Sequence, residues 1–348
     1  MVTAAAPSVV TFGEVMLRLS ALDGTRLAGA RSLDATFGGG EANVAASLAS
    51  FDVPARFVTR VPANDLGMGA IRFLRGLGVD TSGVTVESGR LGVYYLEPGA
   101  AQRASRVLYD REGSCFAKAG SRAYDWPSLL SGARWFHTTG ITPALSAPAA
   151  EATLAAMRAA RVAGATVSVD LNYRAKLWGW GAAAGDVMAG IVAEAEVLIG
   201  NEEDAEKVFG IHPPGSSVAE GSLDPAGYAT VATQLASRFP RLRTIAFTQR
   251  GSISASENTW SGVIWTPDSF HVAKSYRIAP IVDRIGAGDS FAAGLIYALL
   301  DGRSSEAALE FAVAASCLKH SIRGDVNQVS VAEVDELAGG SGSGRVER

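Results

Sequence analysis

Short runs of β-branched and aromatic residues alternate along the chain with longer alanine-rich stretches. The runs over 9–12, 56–61, 135–138, 166–170, 197–199 and 244–248 read as strands. The stretches over 41–51, 67–77, 149–163, 183–193, 225–239, 287–300 and 305–320 read as helices. Strand then helix, repeated, predicts a mostly parallel sheet covered on both faces, a three-layer, doubly wound α/β architecture. Several of the strand runs are apolar without alternation, as strands buried on both faces should be.

Two segments break this rhythm. Residues 15–37 and 91–117 carry alternating patterns and charges, with no helical period. The second contains YYLEPGAAQRASRVLYDREGS, which has the form of a hairpin turning at 98–101. Both are expected to build a small antiparallel β lid projecting from the α/β body. The alternative is two long surface loops, and loops of that length without structure are uncommon in compact domains. Residues 8–337 read as a single domain with these two lid segments. Residues 338–348, with GGSGSGRVER from Gly339, read as a disordered tail.

Composition narrows the partners. With 48% apolar and 19% charged residues the 348-residue chain can bury a sizeable core. Its formal net charge of −4, without a basic block, argues against nucleic acid and anionic membrane as main partners. Cys115 and Cys317 stand far apart in apolar surroundings and read as buried thiols of a reducing compartment. His137, His212, His271 and His320 are scattered, without zinc spacing. The first residues lack the basic and apolar regions of a signal peptide, and the longest apolar candidate, 291–300, suits a buried helix. A soluble, cytoplasmic protein is expected.

Candidate chemistry sits at two glycine-rich helix starts. In IVDRIGAGDSFAAGLIYALL, Gly286, Ala287, Gly288 and Asp289 stand directly before an apolar helix. A helix start offers unpaired N–H groups and a partial positive charge, and glycines let that backbone approach an anion. A carboxylate beside it can take a proton from a hydroxyl, which suits phosphoryl transfer to an alcohol. Asp is also a favoured N-cap, so an ordinary cap is the competing reading. The segment is not a Walker A loop, because no Gly-Lys-Ser/Thr follows. The second start, Phe37-Gly38-Gly39-Gly40-Glu41-Ala42-Asn43, is either a turn before a helix or a close backbone approach to a polar ligand with Asn43 presenting an amide.

Together, and in this order, the two motifs resemble those of the PfkB, or ribokinase-like, carbohydrate kinases. The resemblance runs over about 8–337. Within the family it is to the kinases of 2-keto-3-deoxygluconate, carried by GEVMLRLS from Gly13, GVYYLE from Gly92, VLYDREGS from Val107, DLNYRAKLW from Asp170, GNEEDAEKVFG from Gly200 and LKHSIRGDVN from Leu318. It implies an ATP- and Mg2+-dependent kinase, with room for a monovalent cation, and a sugar-acid substrate. The lid sheet, with exposed edges and exposed apolar positions such as Val93 and Leu96, is expected to form a homo-oligomer. Asp289 would be the catalytic base, and Gly286, Ala287 and Gly288 the anion hole. Gly39, Gly40, Asn43, Tyr94, Tyr109, Arg111, Arg174, Asp289 and Asp325 would meet the substrate. Asn172, Arg174, Asn201, Thr248, Arg250 and Gly251, with Gly286 and Gly288, would meet the nucleotide, and 248–252 resembles a loop along it.

Two departures matter. Relatives often have Asn-x-x-Glu where this chain has Asn201-Glu202-Glu203-Asp204, which leaves three acids as candidates to organise magnesium. Arg284 stands where many relatives have Thr, which bears on the family's monovalent-cation site.

Elementary chemistry supports part of this. Tyr109 and Arg111 share one strand face, and a guanidinium with phenol edges suits a hydroxylated carboxylate. Arg174, Asn201, Thr248 and 286–289 each follow a strand on the edge where parallel sheets bind ligands. Trp178 and Trp180 read as packing residues. His320 reads as a helix-end histidine suited to the dipole, and Glu41 as either a dipole cap or a ligand for a substrate hydroxyl. A kinase of another sugar, and a non-catalytic sugar-acid-binding module, are the remaining readings. A nicotinamide dehydrogenase is set aside because Phe12-Gly13-Glu14-Val15 follows the first strand in place of Gly-x-Gly-x-x-Gly.

Overall fold

The computed structural model describes residues 8–22, 24–212 and 224–340. Its strands, in chain order, are β1 (Val9–Phe12), β2 (Met16–Ala21), β3 (Leu33–Gly38), β4 (Ala55–Pro62), β5 (Val84–Glu87), β6 (Gly92–Glu97), β7 (Arg106–Asp110), β8 (Trp135–Thr139), β9 (Thr166–Asp170), β10 (Val197–Gly200), β11 (Thr244–Ser254), β12 (Glu257–Thr266), β13 (Ser269–Val272) and β14 (Tyr276–Ile278). Ten of them form one sheet. From β5 through β4, β1, β8, β9 and β10 to β11 every pairing is parallel. Antiparallel β12 then carries β13 and β14.

The apolar runs lack alternation because neighbouring strand residues enter different cores. Val9, Phe57, Trp135 and Val197 pack under the helices Gly40–Ser50, Asp65–Gly76, Ala287–Leu300, Ser305–Lys319 and Val331–Ala338. Val10, Val58, Phe136 and Leu198 pack under Ala147–Val162, Ala184–Val192 and Pro225–Arg238. Both faces are dry, so both sets must be apolar. The final helix ends at Ala338, and residues 341–348 of the expected tail lie outside the described residues.

The strand order reverses beside β1. The chain moves outward from β1 through β4 to β5, returns to place β8 on the other side of β1, and then runs outward again to β11. At such a reversal the loops leaving adjacent strand ends diverge and open a crevice, which is where α/β sheets bind ligands.

The second sheet has the order β3-β2-β6-β7 and forms the lid. Its outer pairs are antiparallel and its central pair, β2 with β6, is parallel, because these strands come from two separate excursions out of the body. The lid strands end at Asp110. Residues Cys115–Lys118 form a short helix whose Phe116 packs on Phe12, 5.1 Å between ring centroids, inside the main core.

Three expectations need correction. β11 continues six residues past 248, so Thr248, Arg250 and Gly251 stand on a paired strand, opposite Gly262, Trp260 and Thr259, and not in a loop. That outer half alternates in exposure, which hides it from a search for apolar runs. Leu96, read from sequence as an exposed apolar position, is buried with Met16 and Tyr94 against Ile285. It shares a strand face with Tyr94, and that face looks inward. His320 closes its helix but is buried, which pushes its ring down to about 4, so it brings no charge to the dipole.

Among the described residues no helix is long and apolar enough to cross a membrane. Cys115 and Cys317 are free thiols.

Candidate active site

The helix Ala287–Leu300 begins at the reversal point, and glycine is required just before it. Gly286 has φ +83, and a Cβ there would also overlap the Asp325 carbonyl oxygen. No side chain caps this helix. The Ala287 N–H makes a long 3.5 Å bond to the Arg284 carbonyl, while a Cβ on Gly288 would meet only open space. The helix start therefore presents bare backbone to the cleft, and Asp289 is not its N-cap.

Asp289 is in the first turn, and its Oδ2 accepts a 2.7 Å hydrogen bond from Asn43 Nδ2. Asn43 comes from the other glycine-rich helix start, where its Oδ1 accepts from the Gly39 N–H at 3.3 Å. The two motifs thus meet at one carboxylate. Burial raises the Asp289 carboxyl to about 7. The Asn43 bond opposes the rise, the Asp325 and Glu41 charges add to it, and Arg174 opposes it. A carboxyl near 7 is suited to general-base work at neutral pH.

A cleft of about 910 Å³ surrounds Asp289. Every site residue proposed from the sequence lines it. Gly39, Gly40, Asn43, Tyr94, Tyr109, Arg111 and Asp325 belong to the lid side. Asn172 and Arg174 follow β9, Asn201 follows β10, Thr248, Arg250 and Gly251 stand on β11, and Gly286 to Asp289 complete the wall.

On the lid side, Tyr94 and Tyr109 are cross-strand partners with ring centroids 6.2 Å apart, and the Arg111 guanidinium lies 5.6 Å from the Tyr109 centroid. Arg111 is not a free cation. Its Nε and Nη2 both bond Glu14 Oε2, at 2.7 and 2.5 Å, and both residues are buried. Glu14 Oε1 has no hydrogen-bond partner. The carboxylate holds the guanidinium flat in the cleft wall and offsets part of its charge. Tyr94 donates to the Asp325 carboxylate, whose other oxygen accepts from Arg18. Glu41 stands in the first turn of the helix Gly40–Ser50, where an acid suits the dipole, and it also lines the cleft. Its Oε1 accepts from the Thr139 N–H (2.9 Å) and from the Thr139 and Thr142 hydroxyls (2.8 and 2.7 Å), pinning the helix start to the end of β8.

On the strand-end side, Asn172 has φ +37, and its buried Oδ1 has no partner. A buried unpartnered acceptor in a cleft wall fits a bound polar group. Asn201 caps the helix Glu202–Phe209, accepting from the Asp204 N–H at 2.8 Å. Asp204 in turn accepts from the Tyr173 and Asn201 N–H groups. Glu203 pairs with Lys207 at the surface, 2.5 Å away.

Sequence reasoning missed Asp170, a cleft acid that burial, then the charges of Asp204 and Asp289, push up to about 8. Its signal was present: an acid ending a parallel strand just before Asn172 and Arg174. Among the described residues no three metal-ligating side chains cluster. A divalent cation held mainly by phosphate oxygens and water, with one or two carboxylates, still fits Asp170 and Asp204.

The family model described as "pfkB family carbohydrate kinase" matches residues 6–330. The chain is 32% identical over 338 residues to a 2-dehydro-3-deoxygalactonokinase of Haloferax volcanii, covering 97% of this chain and 98% of that protein. It is similar to the crystal structure of 2-dehydro-3-deoxygluconokinase from Thermotoga maritima, with TM-score 0.90, 45% identity, and 96% and 99% of the two chains covered. A putative Ribokinase II from E. coli, solved in complex with ATP and Mg2+, shares the fold with TM-score 0.78 at 17% identity, over 95% and 99% of the chains.

The raised Asp289 carboxyl predicts a pH signature in stability. The unfolded chain releases this proton near the ordinary 3.8 and the folded chain near 7. Between those values the unfolded state binds fewer protons, so the group costs stability as pH rises. The melting temperature of Asp289→Asn relative to the unaltered protein should climb from about pH 4 to about pH 7 and then level off. A flat difference over that range would show that the carboxyl titrates normally.

Proposed function

We propose that this chain, which belongs to the pfkB family of carbohydrate kinases, phosphorylates the terminal hydroxyl of 2-keto-3-deoxygluconate to give the 6-phosphate. The observation that carries the reading is the Asp289 carboxyl at about 7, bonded by Asn43 beside uncapped helix amides. The sugar acid is supported by the printed names of the Thermotoga and Haloferax proteins and by the Tyr94, Tyr109 and Arg111 wall. Those names divide between the glucono and galactono series, which differ at C4.

Asp289 takes the proton of the attacking hydroxyl. The hydroxyl oxygen forms the new bond to the γ-phosphorus as the bond to the bridging oxygen breaks, and ADP leaves with that electron pair. Bound magnesium supplies positive charge to the phosphates, with Asp170 and Asp204 the acids of this chain that would hold it. The amides of Gly286, Ala287 and Gly288, and Arg174, are aimed at the charge that grows on the transferring group. Asn172, Asn201, Thr248, Arg250 and Gly251 line the nucleotide side. Gly39, Gly40, Asn43 and Asp325 bracket the sugar. The lid excludes water from the transfer.

A monovalent cation near the Gly286–Asp289 turn would share its carbonyls with two side-chain cations. The carbonyls of Asp283 and Ile322 are taken by the Lys319 ammonium, and those of Ser254 and Ala255 by Arg284.

Coupled ADP release with 2-keto-3-deoxygluconate, its C4 epimer and fructose tests the substrate. The two acids should turn over well ahead of fructose, and preference for fructose would overturn the acid reading. Asp289→Asn should lower turnover by on the order of 10²–10⁴-fold. A variant keeping a tenth of the rate would remove Asp289 as the base.

Arg111→Ala should lower kcat/KM for the sugar acid about tenfold to a hundredfold more than for a neutral hexose, since a charge-assisted hydrogen bond contributes roughly 1.5–3 kcal/mol. Arg111→Lys should recover this only in part, because Glu14 and substrate both need the planar fork. Equal losses on both substrates would place acid selectivity elsewhere.

The proposed homo-oligomer uses the outer lid face, where Leu19, Tyr95 and Leu108 stand in register, Val93 shares their face, and Leu108 is 50% exposed. Leu108→Asp should lower the mass measured by light scattering without changing the circular dichroism spectrum. An unaltered mass would move the interface off the lid.

A further inference from the structure

Arg18 stands in β2 of the lid, yet it does not line the cleft and is only 3% exposed. A buried guanidinium is stable only when its donors are used. Here Nε bonds Ser20 Oγ at 2.7 Å, Nη2 bonds Asp283 Oδ2 at 2.6 Å, and Nη1 bonds Asp325 Oδ1. Both carboxylates are buried too, and Lys319 supplies a second buried positive charge through the carbonyls of Asp283 and Ile322. Two cations and two acids balance beneath the lid.

The two acids bracket the turn that starts the helix Ala287–Leu300. Asp283 precedes Gly286 by three residues; its Oδ1 accepts from the Ile285 N–H at 3.0 Å and its Oδ2 from the Gly324 N–H at 3.1 Å. The Asp325 carbonyl lies directly against the Gly286 Cα, too close for a Cβ. Between them Ile285 packs on the lid residues Met16, Tyr94 and Leu96. The helix has no capping side chain of its own, so its first turn is located from outside by these contacts. One guanidinium joins the lid strand to both segments that hold it.

We propose that Arg18 is a positioning residue that couples docking of the lid to the placement of the Gly286–Asp289 turn, acting through Asp283 and Asp325. Lid position and turn geometry then change together, and the amides are aimed only while the lid is seated. The inference rests on the reading of this turn as the phosphoryl-handling element.

The test compares Arg18→Ala, Arg18→Lys, Asp283→Asn and the Arg18→Ala/Asp283→Asn double variant in the full chain. Each is assayed for sugar-dependent ADP release and for ATP hydrolysis without sugar. Misplacing a reacting group by about 1 Å costs roughly a hundredfold, so Arg18→Ala should lose about tenfold to a hundredfold in kcat, with KM for ATP within about threefold. Hydrolysis should rise relative to transfer. Millimolar guanidinium should restore kcat of Arg18→Ala saturably and do nothing for Asp289→Asn. Arg18→Lys, which can reach only one acid, should fall between. The double variant should be no slower than Arg18→Ala.

An unchanged kcat in Arg18→Ala overturns the inference. So does a loss equal to the loss of folded protein, without guanidinium rescue and additive with Asp283→Asn. If the unaltered protein turns over no sugar, or Asp289→Asn keeps its rate, the reading of the turn has failed and this inference with it. If both behave as described above and Arg18→Ala alone is normal, only the coupling fails.

Discussion

The start of the helix Ala287–Leu300 carries backbone amides that no side chain caps, and the surrounding structure keeps them that way. Uncapped amides cost stability unless something occupies them. The chain accepts that cost at the point where the sheet reverses beside β1, because there the amides face a cleft. Gly286 adopts a left-handed backbone to turn the chain into the helix, and the Asp325 carbonyl fills the space a side chain would need. Phe291, Leu295 and Ile296 of this helix are completely buried, so its first turn stands on a rigid base.

Buried and half-buried acids gather around this start. Asp289, Asp170, Glu41, Asp325 and Asp283 all lie within the sheet edge and its loops, and they are handled in three ways. One carboxylate oxygen of Glu41 accepts from threonine hydroxyls and a backbone amide. Asp283 and Asp325 share the Arg18 guanidinium, and Glu14 pairs with Arg111. Asp289 and Asp170 are left with no ion pair, and burial pushes both up towards neutral pH. Burial also raises Glu41 and Asp325 despite their hydrogen bonds, so the carboxyls around this helix start lie closer to neutral pH than ordinary acids do.

The lid enters this arrangement through polar contacts more than through apolar area. Its inward cluster is small, comprising Met16, Tyr94 and Leu96 with Val107 and Ile285 at its margin. Arg18, Tyr94 and Arg111 reach from it to acids of the body. A cover held by a few charged contacts can lift without breaking a core, which suits an element that must admit a substrate and then exclude water.

Much of this was legible in the sequence. The alternation of apolar runs and alanine-rich stretches determines the sheet and its two helical layers, since both faces of each strand must be dry. The two glycine-rich helix starts could be found because only glycine tolerates bare backbone against a ligand or a carbonyl. The partners of charged side chains were not legible. Nothing local joins Arg18 to residues 265 and 307 positions away, or Arg111 to one 97 positions away. Nor could the outer half of β11 be found from apolar runs, because it pairs on one side only and half of its residues face solvent. Asp170 looks like any strand-ending acid until the fold places Asp204 and Asp289 near it. Local pattern reports which faces must be dry, whereas the protonation of a buried acid depends on charges that only the tertiary structure brings within reach.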